Sequence, residues 1–224
     1  DKIVPNPRDY HCVEGYETAR AAGIDCLVAV GGGSSMDTAK AIGTLLTHGG
    51  KVQDWCGADK LLRPITPLIA IPTTAGTGSE STQFTVITDS EQGIKMLLKG
   101  QVLVPQLAVV DPALSVSAPK RITAATGLDA LTHAIESYTS RKRQPLTDTV
   151  ALAAVKRIFR YLPTAYNNGS DLTARSEMAI AALEAGMAIN NASVTLVHGM
   201  SRPIGALFHV PHGISNAMLL TTCL

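Results

Sequence analysis

An α/β layer with a parallel sheet core, followed by an all-α helical domain, is the fold class that this 224-residue sequence predicts. Three observations predict it. Over residues 1–117, short apolar β-branched runs alternate with glycine-rich turns and helical stretches, the pattern of strands layered with helices. From about residue 118, alanine-rich segments carry helical periodicity and no strand run appears. Between the first strand run and the first strongly periodic helix stand Gly31, Gly32 and Gly33, with no room for a longer connection.

Taken in order, "IDCLVAV" (24–30) is a nearly continuous apolar run, as expected of a strand buried on both faces. "SSMDTAKAIGTLLTH" (34–48) reads as a helix, with Ser34 as N-cap and Asp37 three residues on, as in a capping box. "PLIAI" (67–71) is a second strand, ended by Pro72, and "TVITDSEQGIKMLL" (85–98) is a hairpin around a D-S-E-Q-G turn. "QLAVVD" (106–111) closes the α/β portion at Pro112. Helices are predicted over 120–140, 146–162 and 172–192, punctuated by Pro145, Pro163 and "NNGSD" (167–171). The domains are therefore 1–117 and 118–224.

Formal net charge is +1, so bulk electrostatics suggests neither nucleic acid nor an anionic membrane as partner. No stretch approaches the roughly 20 apolar residues that a membrane helix needs, and the first residues lack the plan of a signal peptide. Cys12, Cys26, Cys56 and Cys223 are scattered without a C-x-x-C pair, which argues against a disulfide framework and makes a reducing cytoplasmic setting the default expectation.

A strand, three glycines and a helix N-terminus can cradle phosphate, because glycine lets the backbone approach and the first-turn N–H groups point at the anion. The run departs from G-x-G-x-x-G, since Met36 stands at the third glycine, and no G-K-[ST] follows. A plain tight turn is the alternative. "IPTTAGTGSE" (71–80) is a second loop after a strand, rich in hydroxyls, and the two loops with Lys40 or Lys95 would suit a pyrophosphate.

"GLDALTHAIE" sets Asp129 and His133 four residues apart, on one helix face. In a straight helix His198 and His212 would stand roughly 21 Å apart. Glycines and prolines in "HGMSRPIGALFHVPHG" (198–213) allow the chain to turn so that both reach one point. Three imidazoles and one carboxylate would suit Fe²⁺ or Zn²⁺ better than Ca²⁺ or Mg²⁺; separate core or surface histidines are the alternative.

Together and in this order, "GGGSSMDTAKAIG", "IPTTAGTGSE", "GLDALTHAIE" and "HGMSRPIGALFHVPHG" resemble the iron-containing (group III) alcohol dehydrogenases. The resemblance implies a Rossmann-like nucleotide domain and a helical domain in a dehydroquinate synthase-like architecture, the chain being truncated at both ends relative to the family. It implies metal ligands at Asp129, His133, His198 and His212, and a pyrophosphate loop at Gly32, Gly33 and Ser34 with Asp37 alongside. Thr73, Thr74, Thr77, Val86 and Lys95 would line the rest of the dinucleotide path. The implied chemistry is hydride transfer between a small alcohol and NAD or NADP, with Fe²⁺ or Zn²⁺ as metal and homo-oligomers as the assembly. One departure is Arg202, where the family commonly carries a histidine on the proton path; an arginine stays charged and is no base. His209 is then the local candidate for a relay. A glycerol-dehydrogenase-like enzyme, a hydroxyacid–oxoacid transhydrogenase and a non-catalytic nucleotide- or metal-binding fragment are the rival expectations.

Overall fold

The computed structural model describes residues 3–208 and 210–223, without the side chain of Ala206. The chain divides into two compact units. One comprises Asp1–Ile71 with Ser79–Val109, the other Pro72–Gly78 with Val110–Leu224.

The first unit holds helices α1 (Asp9–Ala22) and α2 (Gly33–His48) and strands β1 (Leu27–Gly31), β2 (Gly57–Ala58), β3 (Leu68–Pro72), β4 (Phe84–Thr88), β5 (Lys95–Lys99) and β6 (Leu107–Ala108). They form two three-stranded sheets, ordered β1-β3-β6 and β2-β5-β4. In the first, β3 and β6 run parallel with Ile69 opposite Leu107. In the second, β4 and β5 form the hairpin expected from the D-S-E-Q-G turn, with Val86 opposite Leu97. Met36 and Ala39 of α2 pack on Leu68 and Ala70 of β3. Among the described residues, that is the face α2 covers. Val28 and Val30 remain 59% and 57% exposed, which corrects the expectation of a strand buried on both faces.

The N-terminus of α2 also departs from expectation. Gly32 is the N-cap, extended at φ −83°, and Ser34 lies inside the helix instead of capping it. The Asp37 carboxylate makes no capping box; it accepts hydrogen bonds from Ser79 Oγ (2.9 Å) and Val86 N (3.1 Å). One turn on, Lys40 is fully buried. Its ammonium donates to the carbonyls of Ser79 (2.7 Å), Thr82 (2.8 Å) and Phe84 (2.9 Å). The expectation that Lys40 serves a pyrophosphate is thereby corrected: every proton of the group is engaged by the 79–84 strap. Burial pushes Lys40 down to about 8, against the opposing pull of Asp37 and Glu80.

The second unit is helical: α3 (Lys120–Thr139), α4 (Pro145–Asn167), α5 (Leu172–Ala192), α6 (Leu196–Phe208) and α7 (His212–Cys223). Its core is small-residue packing, with Ala130 and Ala134 of α3, Ala154 and Ile158 of α4, and Met178, Ala181, Ala182 and Ala185 of α5. Alanine lets helix axes approach closely, and α3, α4 and α5 pack mutually against one another. Asp171 caps α5 by accepting from Ala174 N at 2.9 Å. Pro163 does not end its helix; it lies within α4, which continues to Asn167. Proline removes the N–H that the Phe159 carbonyl would have received, and Phe159 is 67% exposed, where water can take that role. The 72–78 segment belongs to this unit because its glycines have no side chain. A Cβ on Gly76 would meet the Thr126 side chain at 2.4 Å, and one on Gly78 would meet Gly186 Cα at 2.6 Å.

Replacing Lys40 with Met should cost roughly 3–5 kcal/mol of stability, since it strands buried acceptors and a buried carboxylate. Urea unfolding followed by Trp55 fluorescence measures this; an unchanged midpoint would show that the lysine fastens nothing.

Candidate metal centre

Asp129 and His133 lie one turn apart on α3, His198 is the third residue of α6, and His212 opens α7. A bend before α6 and the break between α6 and α7 precede these two histidine-bearing helices. Between α5 and α6 the chain bends by 104°, with Ser193 at φ +68°. Helix α6 ends at Phe208 and α7 begins at His212, so Gly199, Pro203 and Gly205 lie within α6 and are not its breaks. Gly213, directly after His212, lets α7 start hard against α3: a Cβ there would meet the Ala125 carbonyl oxygen at 2.1 Å.

Asp129 Oδ1 stands 3.9 Å from His133 Nε2, 3.7 Å from His198 Nε2 and 3.6 Å from His212 Nε2. One donor atom from each of the four residues lies within 4.8 Å of all the others. The rings of His133 and His198 stack at 4.7 Å, and His212 meets His198 edge-on at 5.1 Å. Asp129, His133 and His198 are buried, and His212 is half-buried.

These carboxylate–imidazole separations exceed hydrogen-bond reach. They are close to the edges, roughly 3.4 Å, of a tetrahedron of N and O donors around a metal at the usual bond lengths. Four donors converging at these separations fit a cation of the Fe²⁺ or Zn²⁺ kind. The electrostatics agrees. Burial works against charge on Asp129, yet His133, His212, His198 and the Asn216 amide together hold its carboxyl below the ordinary value. Burial pushes His133 down to about 4 in spite of Asp129, so its ring is neutral and its lone pair available at neutral pH.

Two further residues, not singled out by the sequence reading, touch this set. Glu136 binds the His198 ring through Oε2 and Nδ1. Asn216 Nδ2 lies 2.6 Å from Asp129 Oδ1, 3.1 Å from His198 Nε2 and 3.2 Å from His212 Nε2. The signal for both is helical spacing: Glu136 follows His133 by three positions and Asn216 follows His212 by four.

Of the remaining expected positions, Gly32, Gly33, Ser34 and Asp37 form the first turn and a half of α2 and its cap. Val86 on β4 is tied to Asp37, and Lys95 on β5 donates to Asn6 Oδ1 at 3.0 Å. Thr73, Thr74 and Thr77 are half-buried on the segment that packs with the helical unit. Arg202 lies on α6, one turn beyond His198. His209 lies outside the described residues.

An α/β unit with a glycine turn before α2, joined to a helical unit bearing a His₃Asp donor set, defines a two-unit class of protein that known relatives share. The model of the iron-containing alcohol dehydrogenases matches residues 1–112, and that of the C-terminal region of the Fe-containing alcohol dehydrogenase family matches residues 123–224. The chain belongs to the iron-containing alcohol dehydrogenase family. It is 45% identical over 217 residues to the NAD-dependent methanol dehydrogenase of Bacillus methanolicus, covering 97% of this chain and 57% of that protein. A crystal structure of a 1,3-propanediol oxidoreductase superposes with a TM-score of 0.96 at 43% identity, over 98% of this chain and 58% of the other. The sulfoacetaldehyde reductase of Bifidobacterium kashiwanohense, solved with NAD⁺, gives 0.94 at 36% identity, over 99% of this chain and 59% of the other. The chain thus spans little more than half the length of these relatives.

Gly213→Ala should drive α7 away from Ala125 and carry His212 from the other three donors. The expected result is a folded helical protein, by circular dichroism, with markedly weaker Zn²⁺ binding than wild type; equal binding would show that the close approach does not set the site.

Proposed function

We propose that the protein transfers a hydride between a small alcohol and NAD(P), interconverting the alcohol with an aldehyde or ketone. Asp129, His133, His198 and His212 would hold the metal. The observation that carries this reading is the convergence of those four donors from three helices, in a chain of this family. The family description favours Fe²⁺, and similarity to an NAD-dependent methanol dehydrogenase and to a reductase solved with NAD⁺ favours NAD.

When bound, the metal would supply Lewis acidity toward the substrate oxygen, and the dinucleotide would supply or accept the hydride. The residues of the chain do the rest. Asp129 brings one negative charge to the donor set, while the three neutral imidazoles bring none, so the site leaves net positive charge for an oxygen that gains electron density. Gly32, Gly33 and Ser34 give the pyrophosphate a helix N-terminus, where backbone N–H groups and the helix dipole favour anions. Asp37 shapes this end by fastening Ser79 and Val86 to α2. Thr73, Thr74 and Thr77 offer hydroxyls, and Lys95 a charge, along the rest of the dinucleotide. Arg202, on α6 where the family commonly carries a histidine, is no general base; His209 is the proposed relay for the alcohol proton.

The test pairs metal content with turnover. Protein loaded with Fe²⁺ should reduce NAD⁺ with short primary alcohols, followed at the nicotinamide absorbance band. His212→Ala should lose bound metal and activity together, by at least 100-fold in kcat/KM. Undiminished turnover in that variant with its metal gone would falsify the mechanism, and tight metal binding without turnover in wild type would favour a binding module.

A further inference from the structure

Glu136 is buried on α3, one turn beyond His133, and no charged partner for it stands among the described hydrogen bonds except the His198 ring. Its two oxygens do different things. Oε1 accepts from Thr195 N (3.0 Å), Thr195 Oγ1 (2.9 Å), Val197 N (2.8 Å) and His198 N (3.3 Å). Those are the donors that the first turn of α6 cannot satisfy within the helix, and a carboxylate at a helix N-terminus is also favoured by the dipole. Oε2 faces His198 Nδ1.

An ionised carboxylate can only accept, so Nδ1 must carry a proton, and the atom left to offer a lone pair to a metal is Nε2. An independent contact on the other side of the ring agrees. The Asn216 amide nitrogen, a donor, lies 3.1 Å from His198 Nε2, an approach that suits an accepting Nε2. Nε2 is also the atom aimed at Asp129 and the other donors.

Resting on the metal-centre reading above, we propose that Glu136 is the positioning residue that locks His198 as the Nδ1–H tautomer and delivers Nε2 as a metal donor. The same carboxylate fixes the start of α6, so ring orientation and helix placement are set by one group. Outer partners of this kind typically change metal affinity roughly 10–100-fold when removed.

Glu136→Gln discriminates this role from simple helix capping. The amide has one acceptor oxygen and one donor nitrogen. Keeping the oxygen on the four α6 donors turns the NH₂ toward His198 Nδ1, which must then accept, and the ring proton moves to Nε2. The fold is retained while the donor lone pair is lost. Thr195→Val is the control, since it removes one donor from the cap and leaves the Nδ1 contact in place.

The expected wild-type result, from long-range ¹H–¹⁵N spectra of metal-free protein, is His198 protonated at Nδ1. Glu136→Gln should show the proton at Nε2 and bind Zn²⁺ roughly 10–100-fold more weakly in a chelator competition. Thr195→Val should keep the wild-type tautomer and Zn²⁺ affinity. Three results would overturn the proposal alone, with wild-type Zn²⁺ binding intact. They are a wild-type ring protonated at Nε2, a Glu136→Gln protein with unchanged tautomer and affinity, and a Thr195→Val protein as impaired as Glu136→Gln. Should Glu136→Gln fail to fold, the wild-type spectrum decides. Wild-type protein that binds no Zn²⁺ would overturn the metal-centre reading, and this proposal with it.

Discussion

The helical unit is organised around one costly placement: the Asp129 carboxylate, removed from water and surrounded by three imidazoles. A lone ionised carboxylate in such a position would carry a desolvation penalty of several kcal/mol. Here the Asn216 amide donates to it, and His133, His198 and His212 attract it to the extent that they carry a proton, which holds its carboxyl below the ordinary value. The partners come from α3 itself, from α6 and from α7, so the set is complete only when all three helices are in place. The donor set is thus also a tertiary restraint, and a cation of matching size would add its binding energy to folding.

What the restraint demands of the sequence is economy on α3. Positions 129, 133 and 136 share one face, so a single helix supplies two donors and the group that orients a third. Small residues elsewhere make this workable. Ala130 and Ala134 occupy the packed side of α3 without pushing its neighbours away, and Gly213 lets α7 begin against the α3 backbone.

Much of the architecture was legible because its elements obey one period each. The alanine-rich stretch 172–192 predicts the bounds of α5 as they stand, and 120–140 predicts those of α3 to within a residue. Three misreadings have physical causes. Pro163 reads as a stop, but α4 runs through it, with the residue one turn back, Phe159, exposed. Ser34 was read as a cap, but a glycine with extended backbone holds that place and Asp37 is engaged by Ser79 and Val86 instead. β1 was read as covered on both faces, because apolar content reveals what a strand can bury and not what lies over it. In the site, Asp129 and His133 are a local pair that spacing exposes. The meeting of His198 and His212 depends on how α7 follows α6, which spacing permits without specifying. Glu136 and Asn216 escaped although they keep helical register with ligands, since a carboxylate or amide near a histidine becomes informative only when its partners are seen.

Lys40 has a consequence for the chemistry of the surface. With its amine enclosed by the carbonyls of Ser79, Thr82 and Phe84, it is closed to acylating reagents for as long as the 79–84 strap stays on α2. Exposed lysines such as Lys51 and Lys60 have no such shelter. The extent of acylation at Lys40 relative to theirs therefore records how often the strap lifts, which makes this side chain a built-in reporter of local opening in the α/β unit.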